Sequence, residues 1–232
     1  LSKVDLWFLR EIEKSFNVNP ESTPVSILKM LGWTDEDVDS KEIKDDLENK
    51  RAYKLVDTCS AEFLSKTPYL YSTFGTSDDD SASKNKKVVV IGSGPNRIGQ
   101  GIEFDYCCVH GVESLKENNY EAIMINSNPE TVSTDYDTAD KLYFEPLSWD
   151  EVKAVLAREK PDSVIIQLGG QTPLKLADKI SSAGYKIAGS SLDVIDATED
   201  RDLFQKLCLS LNIDQPKSKI SFNEDELISA VK

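Results

Sequence analysis

The chain has 232 residues, of which 39% are hydrophobic and 29% charged, with a formal net charge of −14 and four cysteines. An acidic surface of this kind repels nucleic acid and anionic membranes, so neither is expected as a partner. No stretch reaches the ~18 apolar residues of a membrane span, charges interrupt the N-terminus, and the cysteines lack CxxC spacing, which together predict a cytoplasmic protein with reduced thiols.

The first 74 residues are predicted to form a small helical domain. Apolar residues recur at helical spacing over 3–16, and Pro24 begins a second helix that Gly32 ends. A third, charge-rich helix is expected over 39–50. Residues 52–74 are rich in aromatic side chains without helical periodicity, and we expect an extended segment laid over a neighbouring domain. Residues 75–86 are small, polar and acidic, which predicts a linker.

From Lys87 onward the pattern changes to alternating strands and helices. The expected strands are 87–91, 120–126, 141–144, 162–168 and 185–189. Helices are expected after the glycine-rich loop to about residue 118, at 149–160 after Ser148, at 174–184 after Pro173, and twice more between 190 and 213. Helices between parallel strands predict the α/β class, with a doubly wound, mainly parallel sheet over 87–212.

The glycine-rich loop after the first of these strands is the first candidate site. Its candidate residues are Gly92, Gly94, Asn96, Arg97, Gly99 and Gln100. A dinucleotide-binding loop needs a third glycine where Arg97 stands and an acid where Asn126 ends the next strand. A phosphate-binding P-loop needs a lysine where Gln100 stands. The loop is therefore interpreted as a polar-ligand or interface loop rather than a recognisable nucleotide site.

Two acids near this loop are candidate site residues. Glu103 lies in the first turn of the following helix, and Glu130 lies in a loop at the carboxyl edge of the sheet, where α/β folds bind ligands. Two interpretations stay open: a dipole-stabilised helix acid with a solvated loop acid, or polar groups of a ligand site. The single histidine, His110, has no partner at metal-ligand spacing and is expected to serve packing. No nucleophile motif or metal cluster is present, so no catalytic residue is predicted in the chain.

Several long strings in the sequence resemble a known family. They are GSGPNRIGQGIEFDYCCVH at 92–110, NSNPETVSTDYDTADKLYFEP at 126–146, GGQTPLKLA at 169–177 and ATEDRDLFQKL at 197–207. These strings look like the large subunit of carbamoyl phosphate synthase, in the half that makes carbamoyl phosphate from carbamate. DLWFLREIE at 5–13 resembles the oligomerisation domain between the two halves. The chain lacks an initial methionine and ends within a helical pattern, so we expect a piece of a longer protein.

The resemblance implies a division of the chain and a role for it. Residues 1–74 would be part of the helical oligomerisation domain, 75–86 a linker, 87–212 a Rossmann-like pre-ATP-grasp domain and 213–232 the start of an ATP-grasp lobe. The parent enzyme would be an ATP-dependent ligase that makes carbamoyl phosphate from bicarbonate, glutamine-derived ammonia and two ATP, for arginine and pyrimidine synthesis. This piece would be a scaffold and carbamate-tunnel domain, inactive alone.

The resemblance also implies ligands and partners. The parent would use ATP, Mg²⁺ or Mn²⁺, and K⁺, none of them bound by this piece. Its partners would be the rest of the large subunit, a glutamine amidotransferase subunit or domain, and a second copy through the helical domain. Glu103 and Glu130 would line or gate the carbamate passage. The alternative is a stand-alone α/β module that binds a nucleotide or another anion on the glycine-rich loop.

Overall fold

The structure is a computed structural model that describes residues 3–35, 37–38, 51–60, 62–63, 67–74, 77–95 and 102–216, with 219, 221, 223–225 and 228 beyond them. The helix predicted at 39–50 lies outside the described residues. So do four candidate residues of the glycine-rich loop, Asn96, Arg97, Gly99 and Gln100.

The described residues form the following elements. The helices are α1 (Leu6–Phe16), α2 (Val25–Met30), α3 (Glu103–Glu117), α4 (Trp149–Glu159), α5 (Gln171–Leu174), α6 (Ala177–Ser182), α7 (Leu192–Glu199) and α8 (Arg201–Ser210), with a 3₁₀ helix at Val132–Thr134. The strands are β1 (Arg51–Leu55), β2 (Tyr69–Phe74), β3 (Lys87–Ile91), β4 (Glu121–Asn126), β5 (Lys141–Phe144) and β6 (Ser163–Ile165). Within this part of the chain, no helix is long and apolar enough to cross a bilayer.

The six strands form one sheet in the order β1-β2-β5-β4-β3-β6. The five strands β2, β5, β4, β3 and β6 run parallel to one another, and β1 pairs with β2 in the antiparallel direction. The chain leaves β3 for β4 and β5 on one side and then crosses back to β6 on the other. The predicted α/β class with a mainly parallel, doubly wound sheet is therefore confirmed.

Helices cover both faces of the sheet because the central strands are apolar on both sides. Residues of β3 alternate between two buried clusters: Val89 and Ile91 pack with Val152 and Leu156 of α4 on one face, while Val90 packs in a second cluster with α3. This alternation places α3 and α4 on opposite faces and directs the first turn of α3 to the carboxyl edge of β3.

Within 52–74, extended backbone is found in β1 and β2 as predicted, but these strands join a sheet instead of lying over the surface of a neighbouring domain. Strand β2 joins the main sheet beside β5, with Tyr69 opposite Leu142. Leu70 is buried in the core, which anchors the pairing. Residues of the predicted linker also pack here, since Asp78 accepts a hydrogen bond from the Tyr53 N–H at 2.7 Å. The division into domains at 74 and 87 stays a prediction.

Three predicted elements in the second half are shorter than expected. The strand predicted at 162–168 forms β6 only over Ser163–Ile165. The helix predicted at 174–184 is interrupted, because the Leu176 N–H donates to the carbonyl of Pro173, three residues earlier, and this tighter turn separates α5 from α6. The strand predicted at 185–189 pairs with β6 through a single bridge between Val164 and Ile187. Gly189 follows with φ of +96°, which ends the extended run.

Candidate functional site

The carboxyl ends of β3 and β6 form the point at which the doubly wound sheet changes direction. Neighbouring strands whose connections leave on opposite sides open a crevice at this edge, where α/β folds bind ligands. The turns after the two strands touch: a Cβ added to Gly169 would lie 2.6 Å from the carbonyl oxygens of Ile91 and Gly92. Backbone packing therefore closes the base of the crevice and leaves no room for a side chain at position 169.

The turn after β3 is held by a side chain at the end of β4. Asn126 is fully buried, and its Oδ1 accepts hydrogen bonds from the N–H groups of Gly94 at 3.0 Å and Ser127 at 2.9 Å. Gly94 has φ of +73°, a conformation that favours glycine. A Cβ at Gly92 would lie 2.6 Å from the Asn126 side chain. The position where a dinucleotide fold carries its ribose-binding acid thus holds an amide that shapes the loop.

A buried polar chain continues from Asn126 to the first turn of α3. The Asn126 Nδ2 donates to the Ser133 hydroxyl at 3.1 Å, and the Ser133 N–H donates to Asp105 Oδ2 at 3.0 Å. We call Gly94, Asn126, Ser133 and Asp105 the carboxyl-edge network. It connects the loop after β3, the end of β4, the 3₁₀ helix and α3.

The two candidate acids lie on elements that this network connects. Glu103 is the first residue of α3, and Glu130 lies between Asn126 and Ser133. Both side chains are exposed. The Glu130 N–H donates to Asn128 Oδ1 at 3.0 Å, and the Thr134 hydroxyl donates to the Asn128 carbonyl at 2.9 Å, so the loop that carries Glu130 is internally braced.

Two other potentially reactive side chains, His110 and Cys108, lie on α3 in ordinary protein environments. His110 is exposed, with its Nδ1 3.0 Å from Glu113 and its ring edge-on to Tyr106. Burial, together with the charge of Asp105, raises the pKa of Cys108 to about 12, so this thiol is protonated at neutral pH and serves packing. Within the described ranges, no three histidine, cysteine or acidic side chains converge as metal ligands.

The sequence interpretation singled out Glu103 and Glu130 but missed the residues that connect them. Asp105 looks like an ordinary acid of a helix first turn, and Ser133 looks like one hydroxyl among several in a polar loop. The signal for their pairing is weak in the sequence, because 28 residues separate them. Chemically, this edge presents carboxylates, which accept hydrogen bonds from N–H donors and repel bare anions.

The sequence of this chain is similar to proteins of known name. Residues 84–197 match the family described as the carbamoyl phosphate synthase preATP-grasp domain. Curated relatives named carbamoyl phosphate synthase large chain include that of Archaeoglobus fulgidus, 45% identical and covering 97% of this chain, and that of Gemmatimonas aurantiaca, 44% identical and covering 99%. The protein of the same name from Clostridium acetobutylicum is 46% identical and covers 100%.

The relatives are much longer than the chain. The matched region is 23% of the Archaeoglobus protein, 22% of the Gemmatimonas protein and 24% of the Clostridium protein. The chain thus spans less than a quarter of their length.

Proposed function

Through residues 84–197 the chain belongs to the family of carbamoyl phosphate synthase pre-ATP-grasp domains, and from this premise we propose that it is a scaffold and carbamate-passage domain within a large chain of that enzyme. The whole enzyme would be a cytoplasmic ligase that makes carbamoyl phosphate from bicarbonate, glutamine-derived ammonia and two ATP, for arginine and pyrimidine synthesis. The similarity over 97–100% of this chain to about a quarter of the relatives supports a partial role of this kind.

ATP, Mg²⁺ or Mn²⁺, and K⁺ are proposed ligands of the whole enzyme rather than of the described residues. The Gly94 N–H, which a phosphate would need, is already donated to Asn126. The described part also brings together no three metal-ligating side chains. Both observations support the assignment of the nucleotide and its metal to other parts of the large chain.

Glu103 and Glu130 are the proposed polar lining of the carbamate passage. The observation that carries this is their joint placement: two exposed carboxylates at the carboxyl edge, on elements connected by the bond between Asp105 and Ser133. Each carboxylate accepts a hydrogen bond from the amino group of a carbamate. The carboxylate of the carbamate is repelled by the same groups, so it is bridged by water or carries a proton as it passes.

The test uses the full-length enzyme with its glutaminase. We expect Glu103→Gln and Glu130→Gln to lower the carbamoyl phosphate formed per glutamine hydrolysed, because each change removes a charged hydrogen-bond acceptor from the passage. Glu117→Gln is the matched control, since Glu117 is exposed at the opposite end of the same helix. Full coupling in both test variants would overturn the assignment.

The proposed partners are the rest of the large chain, a glutamine amidotransferase subunit or domain, and a second copy of the chain through the N-terminal helical part. The structure of α1 supports an interaction there. It is fully described, it buries no side chain, and Phe16 is 81% exposed. Analytical ultracentrifugation of the chain with and without Phe16→Ser tests the contact with a second copy.

The alternative function is a stand-alone module that holds a nucleotide or another anion. Occupation of the Gly94 N–H by Asn126 argues against it. Calorimetric titration of this chain with ATP and Mg²⁺ separates the two functions. Tight, Mg²⁺-dependent binding would favour the stand-alone module and contradict the scaffold.

A further inference from the structure

Asp105 is buried although it lies in the first turn of a helix, where acids are usually solvated. It is 5% exposed, whereas Glu103, two residues earlier, is exposed. Burying a carboxylate is costly unless hydrogen bonds compensate for lost water. Its Oδ2 accepts the Ser133 N–H at 3.0 Å, and its Oδ1 has no hydrogen-bond partner among the described residues. The free-energy cost of burying Asp105 indicates that this residue has a role beyond its interaction with the helix dipole.

The bond from Ser133 fixes one end of the loop that carries Glu130. The other end is fixed by Asn126, whose side chain bonds to the Ser133 hydroxyl and to the Gly94 N–H. The loop 127–132 is therefore clamped at both ends, and the clamp connects to α3 through Asp105. This bond joins α3 to Ser133, the residue directly after the loop, while Lys116 of α3 bonds further along the same connection, to the carbonyls of Asp137 and Thr138.

We propose that Asp105 is a positioning residue that holds Glu130 in place relative to α3, so that Glu103 and Glu130 act on one passage. The proposal rests on the proposed function of these two glutamates. Asp105 acts through Glu130 and touches no ligand itself. The acceptor atom matters for this role, and the negative charge does not.

The test compares Asp105→Ala and Asp105→Asn in the full-length enzyme. The alanine variant leaves the buried Ser133 N–H without its acceptor, and this is expected to lower carbamoyl phosphate per glutamine hydrolysed about tenfold. The asparagine variant keeps an oxygen that accepts the Ser133 N–H, so it is expected to restore coupling. On a Glu130→Gln background, Asp105→Ala should add no further loss, whereas a general weakening of the fold would add to it.

Hydrogen exchange of the peptide that contains Ser133, measured on the same enzymes, gives an independent result. Exchange should rise about tenfold or more in the alanine variant and stay near wild type in the asparagine variant. Equal loss of coupling in both Asp105 variants, or additive loss with Glu130→Gln, would overturn the proposal. If Glu103→Gln and Glu130→Gln both keep full coupling, the proposed function fails. If only Glu130→Gln keeps full coupling, or if exchange is unchanged in Asp105→Ala, the positioning role of Asp105 is overturned.

Discussion

Two buried carboxylates at opposite edges of the sheet are stabilised in different ways. Asp105 belongs to the carboxyl-edge network, where one oxygen bonds to a backbone N–H and the other has no described partner. Glu159 ends α4 at the amino edge, where both its oxygens are bonded to other side chains. Comparing them separates burial that stabilises the fold from burial that serves a site.

Glu159 is the centre of an ionic cluster with Lys87, Lys141, Tyr143 and Arg158. Lys87 Nζ lies 2.8 Å from one oxygen, Lys141 Nζ lies 3.2 Å from the other, and the Tyr143 hydroxyl donates to the latter. Arg158 donates to the Tyr143 hydroxyl at 3.2 Å. Burial alone would raise the pKa of Glu159, but the bonds from Lys87 and Tyr143 and the charge of Lys141 outweigh it and lower the pKa.

The difference lies in how completely each carboxylate is paired. In the ionic cluster every oxygen of Glu159 has a cation or hydroxyl against it, and the cluster ties β3, β5 and α4 together. Asp105 has no cation bonded to it within the described residues and lies beside the edge where α/β folds bind ligands. A paired buried charge is expected to be needed for stability, and an incompletely paired one at a ligand edge for function.

The largest expected effect comes from breaking the ionic cluster. Glu159→Gln leaves the Lys87 ammonium, whose side chain is 3% exposed, without its counter-charge. Removing one partner of a buried pair costs about 3–5 kcal/mol of unfolding free energy, measured here by chemical denaturation. Asp202→Asn is the matched control, because its pair with Lys206 is exposed to solvent and contributes little to stability. A loss of unfolding free energy below about 1 kcal/mol for Glu159→Gln would contradict the conclusion that this paired buried charge is needed for stability.

Local patterns in the sequence predicted the elements of the parallel sheet well. The apolar, β-branched run of β3 and the helix of α3 follow from periodicity within a few residues. The hairpin of β1 and β2 could not be predicted in this way. Its place in the sheet depends on β5, about seventy residues later, and such a non-local pairing leaves no periodic signal in the strands themselves.

The same distinction applies to the site. The positions of Glu103 in a first turn and Glu130 in a carboxyl-edge loop were predicted, because each depends on the neighbouring strand and helix. The carboxyl-edge network was not, because its bonds join Asp105, Asn126 and Ser133 across elements. The sequence shows Asn126 at the position where a dinucleotide fold carries its ribose-binding acid. The hydrogen bond by which Asn126 holds Gly94 can be identified only from the structure.

A third buried carboxylate, Glu145, has intermediate surroundings and gives a pH test. It accepts hydrogen bonds from the N–H and hydroxyl of Ser72, but no cation bonds to it directly among the described residues. Burial, together with the charge of Glu151, raises the pKa of Glu145 to about 7, against the bonds from Ser72 and the charge of Arg51. Incomplete pairing is thus expected to weaken the fold when this group ionises.

The direction of the pH dependence follows from the pKa of Glu145 in the folded protein, which lies above the ordinary value of 4.5. The contribution of Glu145 to stability is fully present below about pH 4.5, declines as the pH rises and is lost above about pH 7. Over this whole pH interval the unfolding free energy falls by about 3 kcal/mol through the ionisation of Glu145. Glu145→Gln should match wild type near pH 4.5 and exceed its unfolding free energy at pH 8. An identical pH dependence of the two proteins would contradict the assignment.

The smallest effect expected concerns backbone contact at the carboxyl edge. A methyl group at Gly169 would meet the carbonyl oxygens of Ile91 and Gly92 at 2.6 Å, and neither backbone atom can move without shifting β3. Gly169→Ala is therefore expected to cost about 1–3 kcal/mol of unfolding free energy. Gly111→Ala is the matched control, because its methyl group would meet the flexible end of Leu168 within a helix that favours alanine. Equal stability of the two variants would show that the turns after β3 and β6 are free to separate, and that the carboxyl edge owes its shape to side chains alone.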